Sequence, residues 1–172
     1  MQKSTSIEDY LSSLDMEINI FYNNKEHIPR ISQLTQKTNQ FNLTTKRSSV
    51  SDIENFMQSG SVYSFSVKDR FGDMGIVGVV IINKENNIDT FLLSCRAFGR
   101  HIEKAMLSEA LKHNNKYPIF SSYLASSKNK MTEQFYAENS FLEKTNGDDF
   151  KTYSMEKSVK YEENFYGEII WS

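Results

Sequence analysis

Residues 88–114, IDTFLLSCRAFGRHIEKAMLSEALKHN, decide the fold, because the period of the apolar residues changes inside them. Ile88 to Cys95 is dense in Ile, Phe and Leu and reads as a strand. Arg96-Ala97-Phe98-Gly99 interrupts it. From there to about Asn114, Ile102, Ala105, Met106, Ala110 and Leu111 return at the spacing of a helix with one buried side. A strand that turns through glycine into a helix leaves free backbone amides at the turn. With Gly99 beside Arg96 and Arg100, those amides predict a cradle for a pyrophosphate.

Working outward, Val62–Lys68 and Gly75–Asn83 are strands joined to each other and to Ile88–Cys95 by the short links Arg70–Met74 and Lys84–Asn87, which predicts an antiparallel meander. Upstream, EINIFY at 17–22 alternates as a first strand. Pro29 opens a helix whose Ile31, Leu34, Thr38 and Phe41 share a face, and a second helix, capped by Ser49 or Ser51 and stopped at Ser59-Gly60, buries Ile53, Phe56 and Met57. Downstream come a strand at Tyr117–Ala125, a helix at Lys130–Asn139, and a hairpin of Phe141–Thr145 and Phe150–Glu156 around Asn146-Gly147. The expectation is one α/β (α+β) domain over 1–172: a mixed, mostly antiparallel sheet flanked by about four helices, with 1–16 as a lead-in.

The 172 residues suit one domain, and 13% aromatic residues are too much apolar area for a disordered chain. A net charge of -2 and a pI near 5.9 argue against nucleic acid as a partner. The longest strongly apolar run, Gly75 to Ile82, is far short of the ~20 residues a membrane helix needs. The single cysteine, Cys95, excludes an internal disulfide, and with no apolar leader at the start the expected location is the cytoplasm. His27, His101 and His113 share no metal-ligand spacing, so no metal is expected. There is no Walker loop, dinucleotide fingerprint or nucleophile elbow, and no Asp-x-Asp pair of a phosphatase follows a strand. Residues 25–47 carry a net +4, a solvated face or a docking surface for an acidic partner.

Arg96-x-x-Gly99-x-His101 resembles the R/Q-x-x-G-x-G/A pattern by which GNAT acetyltransferases hold coenzyme A, and Phe135-Tyr136-x-x-x-Ser140-Phe141 resembles their F-Y-x-x-x-G-F segment. His101 and Ser140 stand where those patterns have small residues. A resemblance to FkbH-like proteins covers nearly the whole chain. It rests on RISQLTQKTNQFNLTTK at 30–46, on Asp69-Arg70-Phe71-Gly72-Asp73 with Gly75-Ile76-Val77-Gly78, and on Leu92-Leu93-Ser94-Cys95-Arg96 with Gly99-Arg100. It implies the GNAT-like C-terminal domain of that family, without its haloacid-dehalogenase-like phosphatase. It also implies acyl transfer of a glyceryl-like unit through thioesters to the phosphopantetheine of an acyl carrier protein, with coenzyme A as the other possible co-substrate. The implied partners are that carrier and a separate phosphatase.

On that resemblance, Leu93, Ser94, Arg96, Gly99, Arg100 and His101 are expected to line the cofactor, with phosphopantetheine lying along the end of the strand Ile88–Cys95. Tyr136 is either the general acid for a leaving thiolate or a packed ring. Cys95, flanked by arginine, is either a partly ionised acyl carrier or a small core residue. Asp69 is either a base or a turn former. Gln36, Asn39, Gln40 and Asn42 form a polar row suited to an uncharged polyol or a partner's backbone, and Asn129 is either a helix cap or a further substrate ligand. Two other readings compete with the carrier-protein acyltransferase: a GNAT-like module that only docks a carrier protein, and an acetyl-coenzyme A dependent N-acetyltransferase.

Overall fold

The computed structural model describes residues 6–162 and 165–172. Alternating burial along β1 (Met16–Tyr22) and long apolar runs in β3 (Ser61–Asp69), β4 (Gly72–Ile82) and β5 (Asn87–Leu93) make the centre of the sheet. Beyond β5 lie β6 (Ile119–Leu124), β8 (Phe150–Met155) and β7 (Leu142–Asn146). β9 (Gly167–Trp171) closes the far edge, giving the order β7-β8-β6-β5-β4-β3-β1-β9. Only β5–β6 and β1–β9 run parallel; every other neighbour is antiparallel. The meander and the C-terminal hairpin are those the sequence predicts.

Helices cover both faces. α2 (Ile28–Lys37) and α3 (Val50–Ser59) bury Ile31, Leu34 and Ile53 against Val79, Ile81 and Leu92 on one side. On the other, α4 (Ile102–Asn114) packs Ile102, Ala105, Met106 and Ala110 into the main core with Phe65, Val77, Val80 and Phe91. Gly78 permits that approach: a Cβ there would stand 2.6 Å from the Met106 sulfur. The short α5 (Phe135–Glu138) adds Phe135 and Tyr136 beneath β8. α1 (Ile7–Ser12), closed by a Ser6/Asp9 capping box, lies within the lead-in and packs Leu11 with Leu14 and Met16.

Three details differ from the sequence reading. The first long helix stops at Lys37, not Phe41: Thr38 is already extended, and Asn42 bonds back to the Thr38 carbonyl, so Phe41 belongs to a two-residue strand, β2 (Phe41–Asn42). The stretch 130–139 is a 3-10 turn followed by the single turn α5 rather than one helix. β9 is the third. Gly167–Trp171, with the apolar run Ile169-Ile170-Trp171, adds to the edge of β1 in parallel register, Ile18 opposite Ile169. Among the described residues no helix is long and apolar enough to cross a membrane.

Candidate active site

β5 and β6 are paired only at their first residues, Asn87 with Phe120 and Ile88 with Ser121, and then part. The opening this leaves is filled by the chain itself. Phe41 lies opposite Leu93 and Asn42 opposite Leu92, and the Leu43 amide donates to the Phe91 carbonyl at 3.1 Å. On the other arm the Leu124 amide donates to the Leu43 carbonyl at 2.9 Å. Phe41 is buried among Phe91, Phe98 and Phe135. The expectation that phosphopantetheine lies along this end of β5 is corrected by these bonds. The edge at 91–93, including Leu93, is already occupied by 41–43, and a second strand cannot share its donors and acceptors.

Asn129 buckles this insertion. Fully buried, it donates from Nδ2 to the carbonyls of Asn42 and Leu124, both at 2.9 Å, and accepts at Oδ1 from the Ser126 amide and the Tyr123 hydroxyl. Asn42, also fully buried, accepts at Oδ1 from the amides of Thr44 and Thr45. Two of the expected substrate ligands are therefore bound within the fold. Gln36 reaches the Ser48 carbonyl, and Asn39 meets Arg47, whose guanidinium also caps the last carbonyls of α2. Gln40 alone of the polar row is exposed with its side chain unbonded among the described residues.

At the end of β5, the Ser94 amide donates to the Val77 carbonyl, and Cys95–Ala97 forms one 3-10 turn. Cys95 is exposed there, so its reading as a core residue is corrected: the turn carries it off the sheet. Gly99 (φ 78°) and His101 (φ 60°) are both left-handed, and His101 caps α4 without a side-chain bond, leaving the first amides of the helix free. Ser140, too, sits at positive φ (70°). The two positions where the resemblance has small residues thus keep a backbone that glycine would adopt without strain.

Arg100 is engaged within the fold. Its Nη2 stands 3.4 Å from the Asp69 Oδ2, and its Nη1 donates to the carbonyls of Arg96 and Phe98. The Asp69 side chain is 2% exposed, and its other oxygen accepts from the Phe71 amide. The expected phosphate ligand and the expected base therefore neutralise each other and tie the β3–β4 turn to the loop before α4. Arg96 keeps its guanidinium free of any ion pair among the described residues. Tyr136 is buried between the rings of Phe135, Phe141 and Tyr153, and its hydroxyl has no partner among the described residues. Burial, reinforced by Asp89 and Tyr153, pushes its pKa far up, so the hydroxyl stays protonated.

A groove of about 1020 Å³ opens on the α4 face, lined by His101, Lys104, Ser108, Asn139, Ser140 and Tyr161 among others. Residues 158–162 also line it, where the Tyr161 hydroxyl donates to the Asn139 carbonyl at 2.8 Å, and the Tyr166 ring meets His101 edge to face. His101 and Lys104, at the start of α4, thus border a space large enough for a cofactor. Arg30 is the residue that sequence reasoning passed over. It stands inside a basic stretch, and only its contact with the Ile76 carbonyl distinguishes it. The three stretches that carry the FkbH-like resemblance contact one another away from this groove: Arg30 on Ile76, Asp69 on Arg100, and Phe41-Asn42 on Leu92-Leu93.

No family model and no curated protein matches this sequence. Solved structures do. The ribosomal-protein-S18-alanine N-acetyltransferase of Escherichia coli aligns at TM-score 0.60 and 11% identity, over 86% of this chain and 99% of its own. The putative acetyltransferase yncA of Salmonella typhimurium, solved with acetyl-CoA, aligns at 0.57 and 8% identity over 86% of this chain and 98% of its own. Arabidopsis thaliana NAA60, in complex with a bisubstrate analogue, aligns at 0.55 and 18% identity over 78% and 95%. A putative acetyltransferase of the GNAT family from Desulfovibrio desulfuricans aligns at 0.55 and 13% identity over 80% and 98%. With its parted central strands, its strand–turn–helix from β5 into α4 and its near-complete cover of these chains, this protein has the GNAT acetyltransferase fold.

Proposed function

We propose that this protein is an acyltransferase that accepts an acyl group from a pantetheine thioester, and that it moves a glyceryl-like acyl unit to the phosphopantetheine of an acyl carrier protein. The observation that carries this reading is the convergence of the three FkbH-like stretches around the exposed Cys95 at the end of β5. A coenzyme A or carrier-bound pantetheine fits the α4 groove, its phosphates toward the free amides after His101, with Gly99 leaving the backbone open to them. Because 41–43 fill the opening between β5 and β6, a thioester meets the protein at the exposed thiol rather than deep in the sheet.

In this mechanism the Cys95 thiolate attacks the thioester carbonyl. A new carbon–sulfur bond forms at Cys95, the donor carbon–sulfur bond breaks, and the departing thiolate takes up a proton. Attack by the carrier's thiolate reverses the exchange and regenerates Cys95. Tyr136, held protonated, is the donor for a departing thiolate in the variant of this mechanism that bypasses Cys95 through direct transfer. An acetyl-coenzyme A dependent N-acetyltransferase is the second reading, favoured by the acetyl-CoA complex of the structurally similar yncA.

Intact-protein mass spectrometry after mixing with a glyceryl-loaded carrier protein, beside an acetyl-coenzyme A sample, tests both. A glyceryl adduct that Cys95→Ala abolishes is expected. Transfer that survives Cys95→Ala overturns the covalent step, and acetylation of an amine without a glyceryl adduct favours the second reading.

A further inference from the structure

The two outer strands of the sheet are built differently. At one end, β7 carries Glu143 and Lys144, and its ladder with β8 is broken by a bulge between Glu143 and Thr145. Charge and a bulge are common defences of an open edge against a further strand. At the other end, β9 has no lysine, no proline and no bulge. Its residues run in unbroken parallel register with β1, and Glu168 is its only charge. The Ser172 amide donates to the Ile20 carbonyl at 2.9 Å, so the alternation of the ladder turns the backbone groups of Glu168 and Ile170 toward β1. The N–H and C=O groups of Gly167, Ile169 and Trp171 therefore point outward, and no strand among the described residues takes them up.

We infer that β9 is a self-association edge, pairing antiparallel with β9 of a second copy of this chain across a two-fold axis at Ile169. The edge is complementary to itself. Its outward groups set Ile169 opposite Ile169 of the second copy and Gly167 opposite the second copy's Trp171, each pair exchanging both backbone bonds. Only this register pairs all 5 residues of each strand, and it sets Glu168 against Ile170 rather than against another Glu168. Trp171, 40% exposed, lies across from a glycine, an aromatic–glycine pair that covers the bare backbone. A two-fold axis normal to the sheet keeps the α4 faces of both copies on one side. Trp171 is on that face, where its Nε1 donates to Glu109, and Gly167 lines the α4 groove, so the pairing brings the second copy's Trp171 to the rim of the groove. None of this depends on the acyl-transfer reading.

Sedimentation equilibrium and the fluorescence of Trp171, the one tryptophan, test this on the full chain. With rising concentration the mass should climb from one 20.0 kDa chain toward two, and the Trp171 emission should shift to the blue over the same range as water leaves the ring. Ile170→Glu puts a like charge opposite Glu168 in both halves of the pair and should weaken association by about tenfold or more. Adding Glu168→Lys makes both contacts attractive and should restore association. Ile169→Pro removes the central outward N–H while leaving the bonds to β1, so it should also weaken the dimer, and it reports if Ile170→Glu disturbs the fold. Lys144→Glu, on β7, should change nothing. A chain that stays at the mass of one copy up to ~1 mM overturns the inference. So does a dimer indifferent to both Ile170→Glu and Ile169→Pro, or one that Lys144→Glu breaks. A dimer that Ile170→Glu weakens and the charge swap fails to restore overturns the register at Ile169.

Discussion

Replacing Asn129 by Ala removes one side chain and strands four partners: the carbonyls of Asn42 and Leu124, the Ser126 amide and the Tyr123 hydroxyl. A buried polar group left unsatisfied costs about 1–3 kcal/mol. Water entering the gap relieves some of the four, so the expected loss is about 3–5 kcal/mol in urea denaturation. At this chain length each kcal/mol moves the midpoint by about 2–4 °C, which puts the thermal shift near 10 °C. Asn129→Asp should be no milder, because it keeps the acceptors but loses both donors and sets a charge against two carbonyls. Asn39→Ala, on the partly exposed neighbour that meets Arg47, should cost about 0.5 kcal/mol or less.

Hydrogen exchange locates the damage. The Leu43 amide, bonded to Phe91, and the Leu124 amide, bonded to Leu43, should lose protection together, since Asn129 ties β2 to β6. A loss below about 1 kcal/mol with both amides still protected would refute the reasoning.

Three further outcomes are expected. Tyr136→Phe deletes a buried hydroxyl that has no partner, so stability should hold or rise by up to about 1 kcal/mol. If Tyr136 protonates the leaving thiolate, acyl transfer by the same variant falls by about 10²-fold or more; unchanged transfer assigns it to packing alone. His101→Gly relieves a left-handed backbone worth about 1–2 kcal/mol and adds back about 0.5–1 kcal/mol of unfolded-chain entropy, so a net gain of about 0.5 kcal/mol is expected, and a loss would mean the contact with Tyr166 outweighs the strain. Burial beside Phe21 and Ser64 lowers the His27 pKa, so the unfolded chain takes up its proton first. Stability should be level above the ordinary value near 6.5 and fall as the pH drops below it, until the folded value is passed; His27→Gln should flatten that slope.

The fold was legible where the pattern was local. The run from Ile88 through Asn114 switches from strand to helix across the loop between Leu93 and Ile102, and Asn146-Gly147 turns the C-terminal hairpin as its sequence demands. The parts that were not legible depend on partners far along the chain. Phe41 fits a helical face in sequence, but in the structure it is claimed by Phe91 and Phe135, so tertiary packing outbids the periodicity. β9 carries strand formers in Ile169, Ile170 and Trp171, but its five residues need the edge of β1, about 150 residues earlier, to be held as a strand. In the site, the residue types were legible and their bonds were not: Asp69 and Arg100 are both sensible chemistry alone, and only the fold shows that each cancels the other.

That cancellation narrows the chemistry. Of the polar residues around the end of β5, Asn42, Asn129, Gln36, Asn39, Asp69 and Arg100 are consumed in holding the insertion of 41–43 and the loop before α4. The groups still able to act on a ligand are the thiol of Cys95, the guanidiniums of Arg30 and Arg96, the exposed Gln40, and the amides after His101. They lie on both faces of one strand end, with the sheet between them and with the gap through it closed by Phe41–Leu43. A transfer between two substrates approaching from opposite faces must therefore pass around the end of β5, where Cys95 stands, or wait for 41–43 to withdraw. The two routes separate in one variant: loosening the insertion through Asn129 should leave a Cys95 relay largely intact per folded molecule, and should speed a direct transfer that needs the gap open.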